Sequence, residues 1–303
     1  MKSQIVSFAA SCLLACNCTF AQPQDDSTAS WKPVEAALGR SGQMQPGEVY
    51  KFALPRRDMK VVKDGVTVAP GLALGSWVAF KKMGNEAMVM GDLVLTEEEI
   101  EPVMLKLQQQ GIEQTSIHNH LLGESPRVIY MHIAGHGDPV VLARSLAAAI
   151  ALTKTPAPAA TTPATTPQAI DLQTPQVEQA IGYSGKVNGG ILQFSVPRVE
   201  KITDSGMEVP PAMGTATAIN FQPTGQGKAA ISGDFVLLAK EVNPVIRALR
   251  THGIEVEAMH NHMLFDQPHL YFMHFWANDD AVKLAQGLRA ALDETNSQKP
   301  QVK

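Results

Sequence analysis

Apolar and polar positions along the chain change period in a fixed order, and the order occurs twice. Residues 77–80 and 87–95 carry the short apolar runs of strands. Thr96 follows as an N-cap, with Glu99 three residues on completing a capping-box pattern ahead of "IEPVMLKLQQQ", and Gly111 stops the helix this predicts. Residues 112–120 and 128–134 predict two more strands joined by a turn holding Gly123 and Pro126. Asp138 begins a closing helix that runs to Leu152. The core order is β-β-α-β-β-α, a circular permutation of the ferredoxin-like β-α-β-β-α-β arrangement. It predicts the α+β class, with antiparallel sheets and helices packed on one face in two layers. The segments "YKFALPR" and "GGILQFSVPR" ahead of each core predict an extra strand pair per copy.

The second occurrence is a duplication. "VEAALGRSG" at Val34 matches "VEQAIGYSG" at Val177, "MGDLVL" at Met90 matches "SGDFVL" at Ser232, and "QQGIE" at Gln109 matches "THGIE" at Thr251. The offset stays near 142 residues, which makes two domains of ordinary size, residues 31–152 and 177–295. Between them, residues 153–176 open on the Thr/Pro/Ala-rich "TKTPAPAATTPATTPQ", which lacks the apolar pattern of a packed element and reads as a linker.

The start of the chain predicts export. Lys2 precedes an apolar run from Ile5 to Ala15, and "CTFAQ" offers a small-residue cleavage site after Ala21, so residues 1–21 read as a signal peptide. "LLAC" ending at Cys16 also resembles a lipobox, which would instead leave a lipid-anchored cysteine at the new N-terminus; both routes stay open. The expected location is the periplasm or the cell envelope. All three cysteines, Cys12, Cys16 and Cys18, fall in this leader, so the rest of the chain has no thiol or disulfide chemistry. A net charge of −4 without a Lys/Arg cluster gives no footprint for nucleic acid. No segment is long and uncharged enough to predict a transmembrane helix.

Candidate chemistry concentrates in one duplicated hairpin. "SIHNHLLGESPRVIYMHI" places His118, His120, Glu124 and His132 in eighteen residues, and "AMHNHMLFDQPHLYFMHF" repeats them as His260, His262, Asp266 and His274. On a strand, side chains alternate, so His118 and His120 share one face and Asn119 takes the other. His132 joins them only if the hairpin register sums to an even number; an odd register sends it through the sheet. The result is a facial three-nitrogen set of the kind zinc uses, with Glu124 and Asp266 as candidate carboxylate ligands. A strand histidine is more often a hydrogen-bonded core residue, and duplication copies such residues too. Retention of three histidines and a carboxylate in both copies shifts the balance towards a ligand role.

Other repeated polar positions rank lower. Asp92/Asp234, and Arg56 with Asp58 matching Arg198 with Glu200, are expected either to orient imidazoles or to form strand-end salt bridges. Glu99/Glu241 fits a capping-box acid. His136, His252 and His269 have no counterparts and read as surface residues, and Met131 and Met273 as core. The string His-x-His-x-x-x-Glu also occurs in cupins, but the helices here argue against that all-β fold. No nucleophile elbow or phosphate loop is present.

"HNHLL", "YMHI" and "GHGDP" with an upstream "GDLVL" resemble the bacterial LppY/LpqO family of exported proteins and lipoproteins, across nearly the whole chain outside leader and linker. The resemblance implies export or a lipid anchor and supplies no mechanism. Three functions follow from the residues. One is an exported protein with a histidine-based divalent-metal site, zinc first, in each repeat or shared between them. Another is a metal-dependent hydrolase or lyase using Glu124 or Asp266 as base. The third is an envelope module that binds a small ligand or an envelope component, with structural histidines.

Overall fold

The computed structural model describes residues 30–157 and 170–299. The expected signal at residues 1–21 and the middle of the linker lie outside the described residues. The first repeat runs α1 (Lys32–Leu38), β1 (Gln43–Gln45), β2 (Val49–Pro55), a small hairpin β3 (Val62–Lys63) and β4 (Val66–Thr67), β5 (Gly75–Met83), β6 (Glu86–Leu95), α2 (Glu97–Gln109), β7 (Glu113–His118), β8 (Ile129–Gly137) and α3 (Pro139–Ile150). The second runs α4 (Thr174–Ile181), β9 (Lys186–Asn188), β10 (Ile191–Pro197), the hairpin β11 (Thr203–Asp204) and β12 (Met207–Glu208), β13 (Ala216–Gly225), β14 (Lys228–Leu238), α5 (Ala239–Thr251), β15 (Glu255–His260), β16 (Asp266–Gln267), β17 (Leu270–Asp280) and α6 (Ala281–Asp293).

Each repeat forms one six-stranded sheet, in the order β1-β2-β5-β6-β8-β7 and, in mirror listing, β9-β10-β13-β14-β17-β15. Every neighbouring pair is antiparallel. β6 and β8 occupy the centre with β5 and β7 outside them, which is the permuted ferredoxin-like arrangement, and β1–β2 is the expected extra strand pair. The helices α1 and α4 are not foreseen by the pattern. Each is short, starts at a proline in its first turn and stops at a left-handed glycine, Gly39 or Gly182.

The two faces of each sheet do different things. Val78, Phe80, Val89, Leu93, Met131 and Ile133 point to the helices and join Val103, Leu107, Leu142 and Leu146 in a buried core. The second repeat builds the same core from Phe235, Met273, Phe275, Val245, Leu249, Leu284 and Leu288. The opposite faces meet each other. Val94 and Tyr130 of the first repeat pack with Ile191, Ala230 and Trp276 of the second, and Met88 and Met90 pack with Val236, Met263 and Phe272. The molecule is therefore layered helix, sheet, sheet, helix, with each repeat supplying two layers. Full burial of each large apolar side chain contributes roughly 1.5–3 kcal/mol, so the inter-repeat face holds as much of the fold together as a domain core does.

Arg56 and Arg198 settle as structural residues. The Arg56 guanidinium is fully buried; it donates to the Val94 carbonyl and to both oxygens of Glu99, which in turn accepts from the backbone of Thr96 and Lys154. Arg198 does the same with Val236, Glu241, Leu238 and Asn296. Glu99 and Glu241 thus cap α2 and α5 and also tie the chain that follows the closing helix. These ion pairs lie at the strand ends, away from the histidines.

Candidate metal centre

The register brings the histidines to one face. In the first repeat Ser116 opposes His132 and His118 opposes Tyr130, an even sum; in the second Ala258 opposes His274 and His260 opposes Phe272. A bulge at Thr115, and at Glu257, resets the pairing just before the histidines. His120 and His262 lie beyond the strand ends, in loops shaped by the asparagine between the histidines. Asn119 donates to the Leu121 carbonyl at 3.2 Å, and Asn261 to the Met263 carbonyl at 3.0 Å and across the repeats to the Thr115 carbonyl at 2.9 Å.

All six hairpin histidines meet in one cluster where the sheets face each other. His118 stacks on His260 with ring centroids 3.6 Å apart, at the centre of the duplication. Each loop histidine then crosses to the other repeat: His120 lies against His274 at 3.7 Å, and His262 against His132 at 3.9 Å. The ring nitrogens of His118, His120 and His132 fall within 4.8 Å of one another, as do those of His118, His260 and His274, and those of His132, His260 and His262.

The glycine before each aspartate has a steric reason. A Cβ on Gly91 would sit 2.8 Å from the Trp77 carbonyl oxygen, and one on Gly233 would sit 2.0 Å from that of Ala218. The same two glycines fix the imidazole tautomer. His274 Nδ1 lies 2.8 Å from the Gly233 carbonyl, and His132 bonds the Gly91 backbone in the same way; His262 Nδ1 lies 3.2 Å from the Gly214 carbonyl. A carbonyl only accepts, so these rings carry their proton on Nδ1 and present an Nε2 lone pair to the cluster.

No hydrogen-bond donor among the described residues answers those lone pairs. The Nε2 atoms of His118, His120, His132, His260, His262 and His274 are all buried without a hydrogen-bond partner, as are the Oδ1 atoms of Asp92 and Asp234. His260 Nδ1 is orphaned as well, and buried polar atoms are normally satisfied, so these residues could hold a metal ion. Burial holds His118 down to about 2 and pushes His120, His132, His260 and His274 below the usual imidazole range, with the neighbouring rings adding to the effect; at His274 the charge of Asp234 and the Gly233 carbonyl pull the other way. These rings are neutral, the form that binds a metal. Burial, with the charge of Asp234 nearby, raises the Asp92 carboxyl well above its ordinary value.

The carboxylates at the cluster are not Glu124 and Asp266. Glu124 turns back to accept from the Val128 backbone at 3.2 Å, and Asp266 accepts from Leu270 at 2.7 Å and from His269 at 2.9 Å. Four residues past the second histidine, Glu124 lies in the loop and Asp266 has entered β16, and each is taken up by local bonds. Asp92 and Asp234, opposite His132 and His274 in the register, take that place: Asp92 Oδ2 is 3.7 Å from His120 Nε2, and Asp234 Oδ2 is 3.0 Å from His262 Nε2. His136 and His269 are exposed, and half-buried His252 bonds the Ala248 carbonyl.

Several residues at the site escape sequence comparison because their counterparts differ in type. Thr115 donates to the His262 carbonyl at 2.6 Å, and Glu257, its counterpart, accepts from the Leu122 backbone and pairs with Lys63 at 3.3 Å. Each bulge residue thereby grips the histidine loop of the other repeat. Lys51, matched by Gln193, donates to the Ala212 carbonyl at 3.0 Å and lies 3.9 Å over the Trp77 ring. Burial holds its amine down to about 8, with the charge of Asp92 pulling the other way.

Comparison with solved structures finds two weak likenesses, at the level of chain coverage only. A trimeric bacterial microcompartment shell protein, PduB, is 11% identical over 84% of this chain and 89% of its own, with a TM-score of 0.20. EtuB from Clostridium kluyveri is 9% identical over 86% of this chain and 97% of its own, with a TM-score of 0.19. At such scores neither bears on fold or function. No curated protein matches the chain. A family model described as "Domain of Unknown Function (DUF1259)" matches twice, at residues 32–152 and 175–294, and between them the two matches take in both sheets and all six hairpin histidines; the chain belongs to that family, in two copies.

Proposed function

We propose that the protein binds a divalent transition metal, zinc first, in a single centre shared by the two repeats, and that it does so outside the cytoplasm. The observation that carries this reading is the set of six buried Nε2 atoms, three from each repeat, gathered in one cluster without a hydrogen-bond partner among the described residues. Imidazole and carboxylate donors without thiolate suit zinc, which is redox-inert. The apolar run at Ile5–Ala15 with its small-residue cleavage site supports export, and the resemblance to exported proteins and lipoproteins agrees with it. As a structural set, the same histidines would leave eight buried polar groups unsatisfied, at roughly 1–3 kcal/mol each. The residues expected to act as base in the hydrolase reading, Glu124 and Asp266, are taken up by local bonds to Val128 and Leu270.

Thermal unfolding tests the proposal. A ligand held only by the native state at 100 times its Kd stabilises by about 2.7 kcal/mol, so a chelator should lower the wild-type Tm on the order of 5–10 °C. The Tm of His120→Ala/His262→Ala should not respond. An unchanged wild-type Tm, with zinc added or removed, would refute the reading.

A further inference from the structure

The duplication divides the cluster into two matching halves. His118, His120 and His274 have ring separations of 5.1, 3.7 and 5.5 Å; His260, His262 and His132 have 5.0, 3.9 and 5.4 Å. The two triangles of ring centroids agree to within 0.2 Å, and each takes two rings from one repeat and one from the other; in the second the ring nitrogens also lie within 4.8 Å of one another. Each also has its own carboxylate, Asp92 beside His120 and Asp234 beside His262.

We infer that the centre takes two divalent ions, one per half, the first held by His118, His120, His274 and Asp92, the second by His260, His262, His132 and Asp234. This rests on the metal-binding reading above and adds the number of ions and their ligands. Three nitrogens and one oxygen make the four-coordinate set that zinc prefers. A single zinc would satisfy four of the nine orphaned atoms and leave the rest buried without partners, the costly state that a filled centre relieves. Each of the six histidines and both aspartates is used once when two ions bind, and only the second nitrogen of His260 is left over. Two divalent ions against two carboxylates leave an excess of positive charge, which makes the filled centre a place for a small anion.

Native mass spectrometry of the full chain, stripped with chelator and titrated with zinc, counts the ions. Wild type should reach two zinc ions per chain. Asp92→Asn and Asp234→Asn preserve shape and remove one oxygen donor each; in either variant one of the two ions should be weakened by at least tenfold while the other stays. Their circular dichroism should match wild type, and a variant that fails this check is replaced by His120→Gln or His262→Gln, for which the same loss of one ion is expected. A wild-type plateau at one zinc would overturn the pair and leave the shared metal centre standing. No zinc at all would overturn both. Two ions held unchanged in both aspartate variants would overturn the ligand assignment.

Discussion

His120 of the first repeat packs on His274 of the second, ring centroids 3.7 Å apart, and its mirror pair His262 and His132 does the same at 3.9 Å. The loop histidine of each copy thus completes the half that belongs to the other. Within one repeat the ring nitrogens of His118, His120 and His132 already lie within 4.8 Å of one another, and the crossing brings the rings of the second repeat onto that set.

Separation of the repeats tests this crossing. A protease site placed within residues 158–169 and cut in the native protein should leave two fragments that co-elute and keep their metal, because the facing sheets bury Val94, Tyr130, Met90, Trp276 and Phe272 between them. Either repeat expressed alone should expose that apolar face, aggregate or associate, and bind zinc far more weakly. Tight zinc binding by an isolated monomeric repeat would show that the crossing is not needed.

The Lys63–Glu257 pair is the charged link across the interface. Lys63 is 4% exposed, and it donates to the Leu122 carbonyl as well as pairing with Glu257. Lys63→Met would leave a buried carboxylate without its cation, and a loss of roughly 3–5 kcal/mol in denaturant unfolding is expected. Replacing both residues by apolar ones of similar size should recover much of it. A single-variant loss below about 1 kcal/mol would mean that solvent reaches the pair.

Half of the site was legible in the residues and half was not, for physical reasons. Strand alternation put His118 and His120 on one face, and left His132 to the parity of the hairpin register, which the structure supplies. The choice of carboxylate failed because Glu124 was placed by its distance along the chain, whereas Asp92 is placed by its position opposite His132 on the neighbouring strand. A clue lay in β6 itself: "AMVMGDLVL" is apolar almost throughout, the mark of a strand covered on both faces. One face goes to helices, so the other needed a second sheet, and Asp92, the charged exception within the run, belongs to that second face. The crossing of the loop histidines had no signal in the chain, because it depends on how two similar sheets meet.

Acid should destabilise the metal-free protein steeply. His118, His120, His132, His260 and His274 are held below their ordinary value when folded, while the unfolded chain protonates them near 6.5. Below that pH the unfolded state binds more protons, so stability falls as pH falls, by about 1.4 kcal/mol per pH unit for each such histidine. Asp92, raised by burial, works in the opposite direction as one group against five. Denaturant midpoints at pH 7.5, 6.5 and 5.5 should be nearly level over the first step and drop sharply over the second. A flat profile to pH 5 would mean that water or a counter-charge reaches the rings.

Elemental analysis of the protein purified without an affinity tag tests the shared centre most directly. The account predicts a transition metal, zinc before others, in stoichiometric amount with the chain, removed by His120→Ala/His262→Ala. Protein that carries only traces, and takes up no zinc, copper or manganese at neutral pH, would contradict it.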